Sequence, residues 1–321
     1  TKPLIKKREN KVYRYGVNRS LIALSISHKY SYKGFTLEGS YILQHLTSIP
    51  KRLFHLPSLF LSYGWQLPQQ SERNSNVHFF LAANKTLRYP TFTDLYYKTG
   101  DILGNAQLQP EEAVTAECGI QWKWQKTGNR EPFFQAECSF FYRYGFHLID
   151  YIKKEEEEHW QAMNLSAVQF AGLDVMLTFT PQQIWKNFPF LNQLSVQYNY
   201  LYSDKTNLPF QSKYVLDHLI HQLNITLDGK IYKGLSFYIS TLYAHRKGNY
   251  LSYKKELPPE PKPYPPYLLI DIRLQYLIRQ QYTFYLQINN LLNQRYFDIG
   301  GLTQPGIWVS GGVKSRLGRS L

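Results

Sequence analysis

Apolar and polar residues alternate with a period of two through most of this chain. In residues 114–124, for example, the even positions are apolar and the odd positions are mainly polar. A period of two is the signature of a β-strand whose two faces meet different surroundings. We therefore predict an all-β fold of about 13 strands. The alternating segments are residues 20–30, 35–45, 58–65, 77–85, 114–124, 135–144, 172–179, 194–203, 219–227, 235–243, 270–276, 282–289 and 307–317.

The connections between these segments alternate between short and long. Short turns at one end and long loops at the other are typical of an outer-membrane β-barrel. The short connections are Lys29–Gly34, Lys126–Glu131, Asp228–Gly234 and Arg279–Gln281. The long connections are Leu87–Glu111, Lys153–His159, Ser203–Lys213, Lys247–Pro266 and Tyr296–Pro305.

The residue types on the two faces favour a membrane barrel over a soluble β-sandwich. A sandwich also alternates, but it has no use for Glu137 and Arg143 inside and tryptophans outside. A barrel with a wet lumen and a lipid-facing outside accommodates both. We therefore predict an antiparallel transmembrane β-barrel with short periplasmic turns and long extracellular loops. In it, Phe237 and Tyr198 are expected to contact lipid, and Glu137, Arg143 and Arg273 to face the lumen.

The connection Leu87–Glu111 is the stretch most suggestive of function. Its prolines and glycines exclude a continuous helix or strand, and its aromatic residues predict that it packs rather than being disordered. Its sequence resembles that of the corresponding loop of TonB-dependent outer-membrane receptors. The elements that carry the resemblance are Arg88-Tyr89-Pro90, Asp94-Leu95-Tyr96 and Gly104-Asn105-Ala106-Gln107-Leu108-Gln109-Pro110-Glu111.

Other elements of the same family follow in the expected order, so the resemblance covers roughly residues 57–317. Gly172-Leu173-Asp174 resembles the family's Gly-Val-Glu strand. The family's Pro-Gly-Arg reads Pro305-Gly306-Ile307 here, so no arginine is assigned at that position. The ending of the chain resembles the penultimate hairpin of the family through Tyr267-Leu268-Leu269-Ile270-Asp271 and Ile288-Asn289-Asn290-Leu291-Leu292-Asn293.

The resemblance implies a receptor in which an N-terminal plug fills a barrel of about 22 strands. About 13 strands cannot form that barrel, and nothing upstream of Val12 resembles a plug. We therefore expect residues 1–321 to be a single domain, the C-terminal portion of the barrel, with the plug and the first strands absent. The implied location is the outer membrane of a Gram-negative bacterium. The implied partners are the remaining strands and plug of the same receptor, the TonB energy-coupling protein through that plug, lipid and lipopolysaccharide, and a nutrient ligand.

The function implied by the resemblance is uptake of a scarce, large nutrient, either cobalamin or a ferric siderophore. The sequence of residues 91–97 resembles that of cobalamin receptors, which makes cobalamin the first expectation. No histidine occurs in residues 91–104, which argues against haem. The alternative is a passive porin or a barrel enzyme. No Gly-x-Ser-x-Gly elbow or metal motif is present, so we expect neither an enzyme nor a bound cofactor or metal.

Seven residues of the long loop are the candidate ligand contacts. Tyr96 and Tyr97 could stack on a flat or chelated ligand, and Arg88 and Lys98 could meet its anionic groups. The alternative role for these side chains is to pack the loop onto the rim of its own barrel. The candidates are Arg88, Tyr89, Phe92, Tyr96, Tyr97, Lys98 and Asn105.

The formal net charge of +14 raises nucleic acid as a possible partner. The basic residues are scattered through turns and loops, as at Lys2–Arg8, Lys51-Arg52 and Lys254-Lys255, so we expect no nucleic acid and a solvated rim. Such a rim would also suit lipopolysaccharide phosphates. A soluble nucleic-acid-binding β protein would purify without detergent. The acidic run Glu155–Glu158 predicts a solvated loop tip.

Two further segments carry specific expectations. Leu257–Pro266 reads as an extended polyproline loop that cannot be a central strand. Cys118 and Cys138 are equally distant from Gly128, so a symmetric hairpin would place them opposite each other, within disulfide range. Two free thiols are nevertheless the expected state, since a small apolar cysteine suits a lipid-facing position.

Overall fold

The strands of the sheet correspond to the alternating segments. The computed structural model describes residues 18–47, 53–70, 73–128, 131–154, 159–185, 188, 190–204, 210–212, 218–252, 260–279, 281–297 and 302–316. Its strands are β1 (Leu21–Tyr32), β2 (Phe35–Leu46), β3 (Leu53–Gln70), β4 (Arg73–Arg88), β5 (Lys98–Thr99), β6 (Ile102–Leu103), β7 (Glu111–Lys126), β8 (Phe134–Lys154), β9 (Trp160–Phe179), β10 (Leu191–Ser203), β11 (Phe210–Ser212), β12 (Leu219–Tyr232), β13 (Leu235–Arg246), β14 (Asn249–Ser252), β15 (Glu260–Pro263), β16 (Tyr267–Ile278), β17 (Tyr282–Asn289) and β18 (Trp308–Ser315).

Thirteen of these strands form one continuous path in which every neighbouring pair is antiparallel. The order is β1-β2-β3-β4-β7-β8-β9-β10-β12-β13-β16-β17-β18. The predicted strand number and the antiparallel all-β class are thereby confirmed. β1 and β18 end the path and do not pair with each other in the described part of the chain, so the sheet is an open portion of a barrel. The short strands β5, β6, β11, β14 and β15 lie in the long connections.

The register produces one apolar and one polar face. One row of cross-strand partners passes through Tyr198 of β10 and is apolar or aromatic over ten strands. It consists of Phe35, Tyr63, Phe79, Ile120, Cys138, Val175, Tyr198, Leu223, Tyr243 and Leu268. The row through Ser195 on the opposite face is polar throughout. It consists of Gln66, Asn76, Lys123, Gln135, Thr178, Ser195, Thr226, Ser240 and Asp271.

The five residues that the sequence assigns to the two faces lie on the predicted faces. Phe237 has the same parity as Tyr243 in β13 and lies on the apolar face with Tyr198. Glu137, Arg143 and Arg273 have the opposite parity in β8 and β16. The apolar face is strongly exposed: Phe140 is 49% and Leu286 is 48% accessible. Exposed apolar area on this scale indicates a surface that is covered in the working protein.

Glycine–aromatic pairs hold the register on the polar face. Gly119 pairs with Phe80, and Gly172 pairs with Phe141. A Cβ at position 172 would lie 2.2 Å from the Phe141 ring, and one at position 119 would lie 2.4 Å from the Phe80 ring. Each ring therefore lies across the bare backbone of its partner, an arrangement that only glycine permits.

The short connections gather at one end of the sheet, which we call the turn side. The opposite end, with the long connections, is the loop side. The predicted hairpin at Lys29–Gly34 is confirmed, but its turn is confined to Lys33 and Gly34, which have φ of 44° and 83°. One turn-side connection, residues 180–190, is longer and contains a 3₁₀ helix at Pro181–Gln183.

The expected pairing of the two cysteines is wrong. Cys118 pairs with Phe140, and Cys138 pairs with Ile120. The hairpin is not symmetric about Gly128, because Phe133 donates its backbone N–H to the Trp124 carbonyl and shifts the register toward β8. Both cysteines are free, as expected.

On the loop side, β8 and β9 are longer than the alternating segments predict. β8 continues to Lys154, beyond the segment 135–144, and β9 begins at Trp160, well before the segment 172–179. Alternation fails there because residues 148–152 are all buried, so that neither face is exposed to solvent. His147 also has a φ of 54°, which interrupts the regular pleat.

The proline-rich segment is partly paired rather than a free loop. β15 pairs with β14 in a separate two-stranded sheet, so it is not a central strand, as predicted. Pro261 and Pro263 are two residues apart, so both missing N–H groups fall on one edge of β15. The acidic run Glu155–Glu158 and the basic groups at 2–8, 51–52 and 254–255 lie outside the described residues. No helix within the described residues is long and apolar enough to cross a membrane.

Phe237 is only two residues from the start of β13, so an arginine there can reach the headgroups and should cost little. We expect Ile239→Arg, on the same apolar face but nearer the middle of β13, to destabilise the membrane-inserted protein by about 2–4 kcal/mol, because it places a charge in lipid near the bilayer midplane. Guanidinium unfolding of the vesicle-inserted full-length protein measures this. Ser240→Arg is the matched control, since it lies on the polar face of the same strand opposite Asp271. Equal destabilisation by the two substitutions would contradict the assignment of the faces.

Candidate functional site

The loop between β4 and β7 is an ordered structure at the loop side of the sheet. It contains one short helix, α1 (Phe92–Tyr96), and the small β5–β6 hairpin. This agrees with the prediction that no continuous helix or strand spans it. β6 also pairs in parallel with the start of β9, where Ile102 is opposite Trp160. The loop connects β4 to β7, and it therefore extends beyond β8 to pair with β9.

Arg88 binds two carboxylates at the base of the loop. Its Nη1 donates to Glu111 Oε1 at 2.5 Å, and its Nη2 donates to Asp94 Oδ2 at 3.2 Å. Both carboxylates are largely buried, with side chains 11% and 8% accessible, whereas Arg88 is 47% accessible. Glu111 Oε1 also accepts the backbone N–H of Ile149 at 2.6 Å. Arg88 thus ties the two ends of the loop and the helix between them to β8.

Asp94 also caps α1. The Thr91 side chain accepts from the Asp94 N–H at 3.1 Å, and Asp94 Oδ2 accepts from the Thr91 N–H at 2.8 Å. This reciprocal pair is a capping box, which stabilises a helix N-terminus by satisfying its free N–H groups. The other oxygen of Asp94 accepts from the Tyr151 hydroxyl at 3.3 Å. A helix of only five residues is held in place by these contacts rather than by its own propensity.

The second half of the loop packs closely on α1 and on β8 and β9. A Cβ on Gly104 would lie 2.8 Å from the backbone nitrogen of Tyr96, so only glycine allows this approach. Asn105 donates its N–H to the Asp94 carbonyl at 2.8 Å, and its side chain accepts from the Gln107 N–H at 2.9 Å. Beyond it, a small apolar core forms from Leu108, Ile149, Tyr151 and Ala162, with Leu95, Ile102 and Trp160 against it.

Tyr89 anchors the start of the loop to β2 and β3. Its hydroxyl donates to Gln44 Oε1 at 3.4 Å, and its ring packs edge-on against Phe54 with 5.5 Å between centroids. Gln44 and Phe54 are cross-strand partners on the polar face. Burial raises the pKa of the Tyr89 phenol, opposed by the positive charge of Arg19. The phenol is therefore neutral and able to donate.

Arg19, which lies just before β1, holds the next part of the loop. It donates to the Pro90 carbonyl at 2.6 Å, and its guanidinium lies 4.7 Å above the centre of the Phe92 ring. Phe92 in turn stacks on Tyr96 with 6.4 Å between ring centroids. Cation–π contact and stacking together fix the orientation of this aromatic pair.

The seven candidate residues thus divide into two groups. Arg88, Tyr89 and Asn105 are engaged in anchoring contacts within the loop or to the sheet. Phe92, Tyr96 and Tyr97 are only half-buried, and Lys98 is exposed. All seven lie in the loop between β4 and β7. We call Phe92, Tyr96, Tyr97 and Lys98 the presented residues.

Sequence reasoning missed four partners that hold this loop. Asp94 and Glu111 were visible within the motif but were not assigned a role there. Arg19 and Tyr151 lie 71 and 57 positions from the residues that they contact, and no local pattern points to them.

Two other loop-side connections are fixed by asparagines and aromatic rings. Asn290 accepts from the Gln294 N–H and donates to the Pro305 carbonyl, while its own N–H binds Asp271 at 2.8 Å. The family-like motifs at 267–271 and 288–293 are therefore parts of one local hydrogen-bond network. Tyr250 of the β14–β15 ribbon stacks on Phe297 at 4.6 Å and so joins the two connections.

The polar face near the loop side has a depression of about 400 Å³. Asp174 lines it and accepts a hydrogen bond from Asn199. Gln222 and Arg246 are also in its lining. Within the described residues, no group of three or more His, Cys, Asp or Glu side chains could hold a metal ion.

We expect Arg88→Gln to loosen the loop, because it leaves the largely buried Glu111 and Asp94 without their cation. The expected cost is about 1–3 kcal/mol. Limited proteolysis within residues 87–111 and thermal unfolding measure it. Lys98→Gln is the control, since Lys98 is exposed on the same loop. Arg88→Gln with Glu111→Gln should cost less than the two singles added together; strict additivity would contradict the proposed coupling.

The comparisons with known proteins agree with this geometry. The family model for TonB dependent receptor-like, beta-barrel proteins matches residues 23–291. No curated protein sequence matches the chain. Among solved structures, the chain is similar to the siderophore receptor PirA of Pseudomonas aeruginosa at 17% identity and a TM-score of 0.61, covering 93% of this chain and 47% of that chain.

Two further structures show the same likeness. A variant of the ferric enterobactin receptor PfeA of Pseudomonas aeruginosa matches at 16% identity and a TM-score of 0.63, over 92% of this chain and 45% of that chain. The FrpB iron transporter of Neisseria meningitidis matches at 15% identity and a TM-score of 0.62, over 92% and 45%. The chain therefore spans less than half the length of these structures, and at these identities the likeness concerns the fold. Because the family model covers most of the chain, this protein belongs to the TonB-dependent receptor β-barrel family.

Proposed function

We propose that this chain is the C-terminal portion of the barrel of an outer-membrane receptor that takes up a scarce, large nutrient by TonB-coupled transport. The observation that supports this most is the loop at residues 87–111. Buried ion pairs and a small core hold it rigid, while four side chains stay accessible at the loop side. A preformed surface of this kind binds a ligand at low entropic cost. The loop side is then extracellular, and the receptor resides in the outer membrane of a Gram-negative bacterium.

A ferric siderophore or another metal complex is the substrate class that we favour over cobalamin. The resemblance to cobalamin receptors rests on residues 91–97, where Thr91 and Asp94 cap α1. These residues therefore have a structural task that any ligand would leave unchanged. The similar solved structures include a siderophore receptor, a ferric enterobactin receptor and an iron transporter.

The presented residues have the chemistry that such a ligand needs. The Phe92–Tyr96 stack and Tyr97 offer aromatic faces for a flat or chelated ligand. Lys98 offers a positive charge for its anionic groups. Arg88, Tyr89 and Asn105 contribute by fixing the loop, and we assign them a positioning role.

The two open edges are the basis for the proposed partners. β1 has all twelve residues exposed, and β18 is the other end of the path. In hydrocarbon, each unpaired backbone group costs several kcal/mol, so both edges need strands to pair with. We propose that the remaining barrel strands of the same receptor pair with them. A plug domain then covers the polar face and links it to the TonB protein.

Neither alternative function has an observation in its favour. The family consists of receptors and transporters rather than enzymes. A passive porin has no use for a rigid, presented aromatic loop.

We expect Tyr96→Ala with Lys98→Gln to weaken ligand binding about tenfold, because a stacking contact and a charge contact are lost. Titration of the full-length receptor with a panel of ferric siderophores and with cobalamin measures this. Lys262→Gln, in the ribbon of β14 and β15, is the matched charge control. Unchanged affinity for every ligand that binds the parent protein would contradict the role of the presented residues.

We also expect residues 1–321 alone not to transport the nutrient. Within the described residues, β1 and β18 have no partner at their outer edges. The proposed plug belongs to the rest of the receptor, so residues 1–321 alone would lack the part that moves during energised uptake. The measurement is uptake and membrane insertion in cells that lack the full receptor, with the full-length receptor as the positive control. Robust energy-dependent uptake by residues 1–321 would overturn this proposal.

A further inference from the structure

The turn side of the sheet differs in charge from the loop side. We define the turn rim as the turn-side connections with the three strand residues next to each of them, together with residues 313–316 at the turn-side end of β18. Among residues whose side chains the structure describes, the turn rim holds one acidic residue, Glu131. Its seven basic residues are Lys33, Lys126, Lys230, Lys233, Arg279, Lys314 and Arg316.

Several charges on the loop side are instead partnered. Arg88 binds Glu111 and Asp94, and Lys85 binds Glu112 at 2.6 Å. The acidic groups that face the turn rim from one step inward are also engaged. Glu38 pairs with Lys29, and Asp228 accepts from Asn192. Glu137, next to the rim in β8, accepts from the Gln121 amide. Within the described residues, the turn rim therefore holds seven basic side chains and one acidic side chain.

Exposed aromatic side chains occupy the same level. On a membrane barrel, such a girdle marks the boundary between hydrocarbon and headgroups. The basic residues of the turns then lie at the depth of the phosphates. The exposed aromatic residues of the turn rim are Tyr30, Tyr32, Phe35, Trp185, Phe188, Phe190, Tyr232, Tyr276, Tyr282 and Phe284.

The same three-residue turn occurs twice in this rim, as Tyr32-Lys33-Gly34 and Tyr232-Lys233-Gly234. Both glycines have a positive φ, 83° and 80°. Each carbonyl accepts a 2.8 Å hydrogen bond from the strand beyond, from Gly64 in the first turn and from Leu277 in the second. Two separate turns thus hold an exposed tyrosine and an exposed lysine side by side in the same way.

Two basic residues occupy positions that their type does not favour. Lys33 has a φ of 44° and Arg279 has a φ of 50°. In such turns, asparagine, aspartate and glycine fit with less strain. The Lys33 ammonium lies 5.3 Å from the centre of the Tyr32 ring, and neither Lys33, Lys233 nor Arg279 forms an ion pair within the described residues. Charge at the rim is therefore present at some cost to turn geometry.

We propose that the turn rim is a docking surface for anionic phospholipid headgroups in the leaflet that the short turns face. The phosphate groups accept from the lysine and arginine side chains, and the tyrosines lie at the glycerol level. The inference rests on the proposed membrane location but not on the identity of the nutrient. Each basic residue near an anionic surface strengthens binding, and salt weakens it.

The test uses the full-length protein from native membranes, reconstituted in vesicles of phosphatidylcholine with or without phosphatidylglycerol. Quenching of tryptophan fluorescence by brominated lipids gives the relative association of the two headgroups. We expect a preference for phosphatidylglycerol that falls at least about threefold in Lys33→Asn/Lys233→Gln/Arg279→Asn and is screened by salt. Asparagine suits a positive φ, so Lys33→Asn and Arg279→Asn should keep their turns folded.

The control variant Lys153→Gln/Lys262→Gln/Arg295→Gln removes the same charge from the loop side and should keep the preference. Lys33→Arg/Lys233→Arg should keep it as well. No preference in the parent protein, or an equal fall in the control variant, would overturn the inference. Failure to insert into any of the vesicles would instead contradict the proposed membrane receptor.

Discussion

Continuity of the antiparallel register across thirteen strands is the constraint on which the rest of this structure depends. A slip of one residue in any pair would turn every side chain of a strand to the other face. The apolar row from Phe35 to Leu268 and the polar row from Gln66 to Asp271 are unbroken only because no such slip occurs. Cross-strand pairs such as Gly172–Phe141 contribute to holding it, since the ring fits only over a bare backbone.

The same register decides where functional side chains can be placed. The strands deliver the ends of the long loop, at Arg88 and Glu111, as direct cross-strand partners in β4 and β7. Their ion pair closes the loop at its base, and Asp94 brings α1 to the same guanidinium. A long loop that would otherwise carry a large conformational entropy is thereby held in one shape. The position of the presented residues then depends on the charges of Arg88, Glu111 and Asp94 at the base of the loop.

The two ends of the sheet differ in electrostatics as well as in the length of their connections. On the loop side, Arg88 and Lys85 pair with carboxylates within the protein, and the Arg88 pairs stabilise the long loop. On the turn side, basic and aromatic residues stand exposed in tight turns with few acidic neighbours. Each end is built from the same strands, so the difference lies in the connections and in the strand residues next to them.

The sequence by itself determined the number of strands, their faces and the motif of the long loop. Period-two alternation reports side-chain environment directly, which is why Phe237 and Arg273 could be assigned to opposite faces. It gave no access to contacts between distant segments. The register of Cys118 depends on a hydrogen bond from Phe133. The extension of β8 depends on burial of both its faces, one against the long loop and the other against residues of β9. Tertiary structure alone brought Arg19 to Phe92 and Tyr151 to Asp94, because such contacts arise from the path of the chain in space and not from any local pattern.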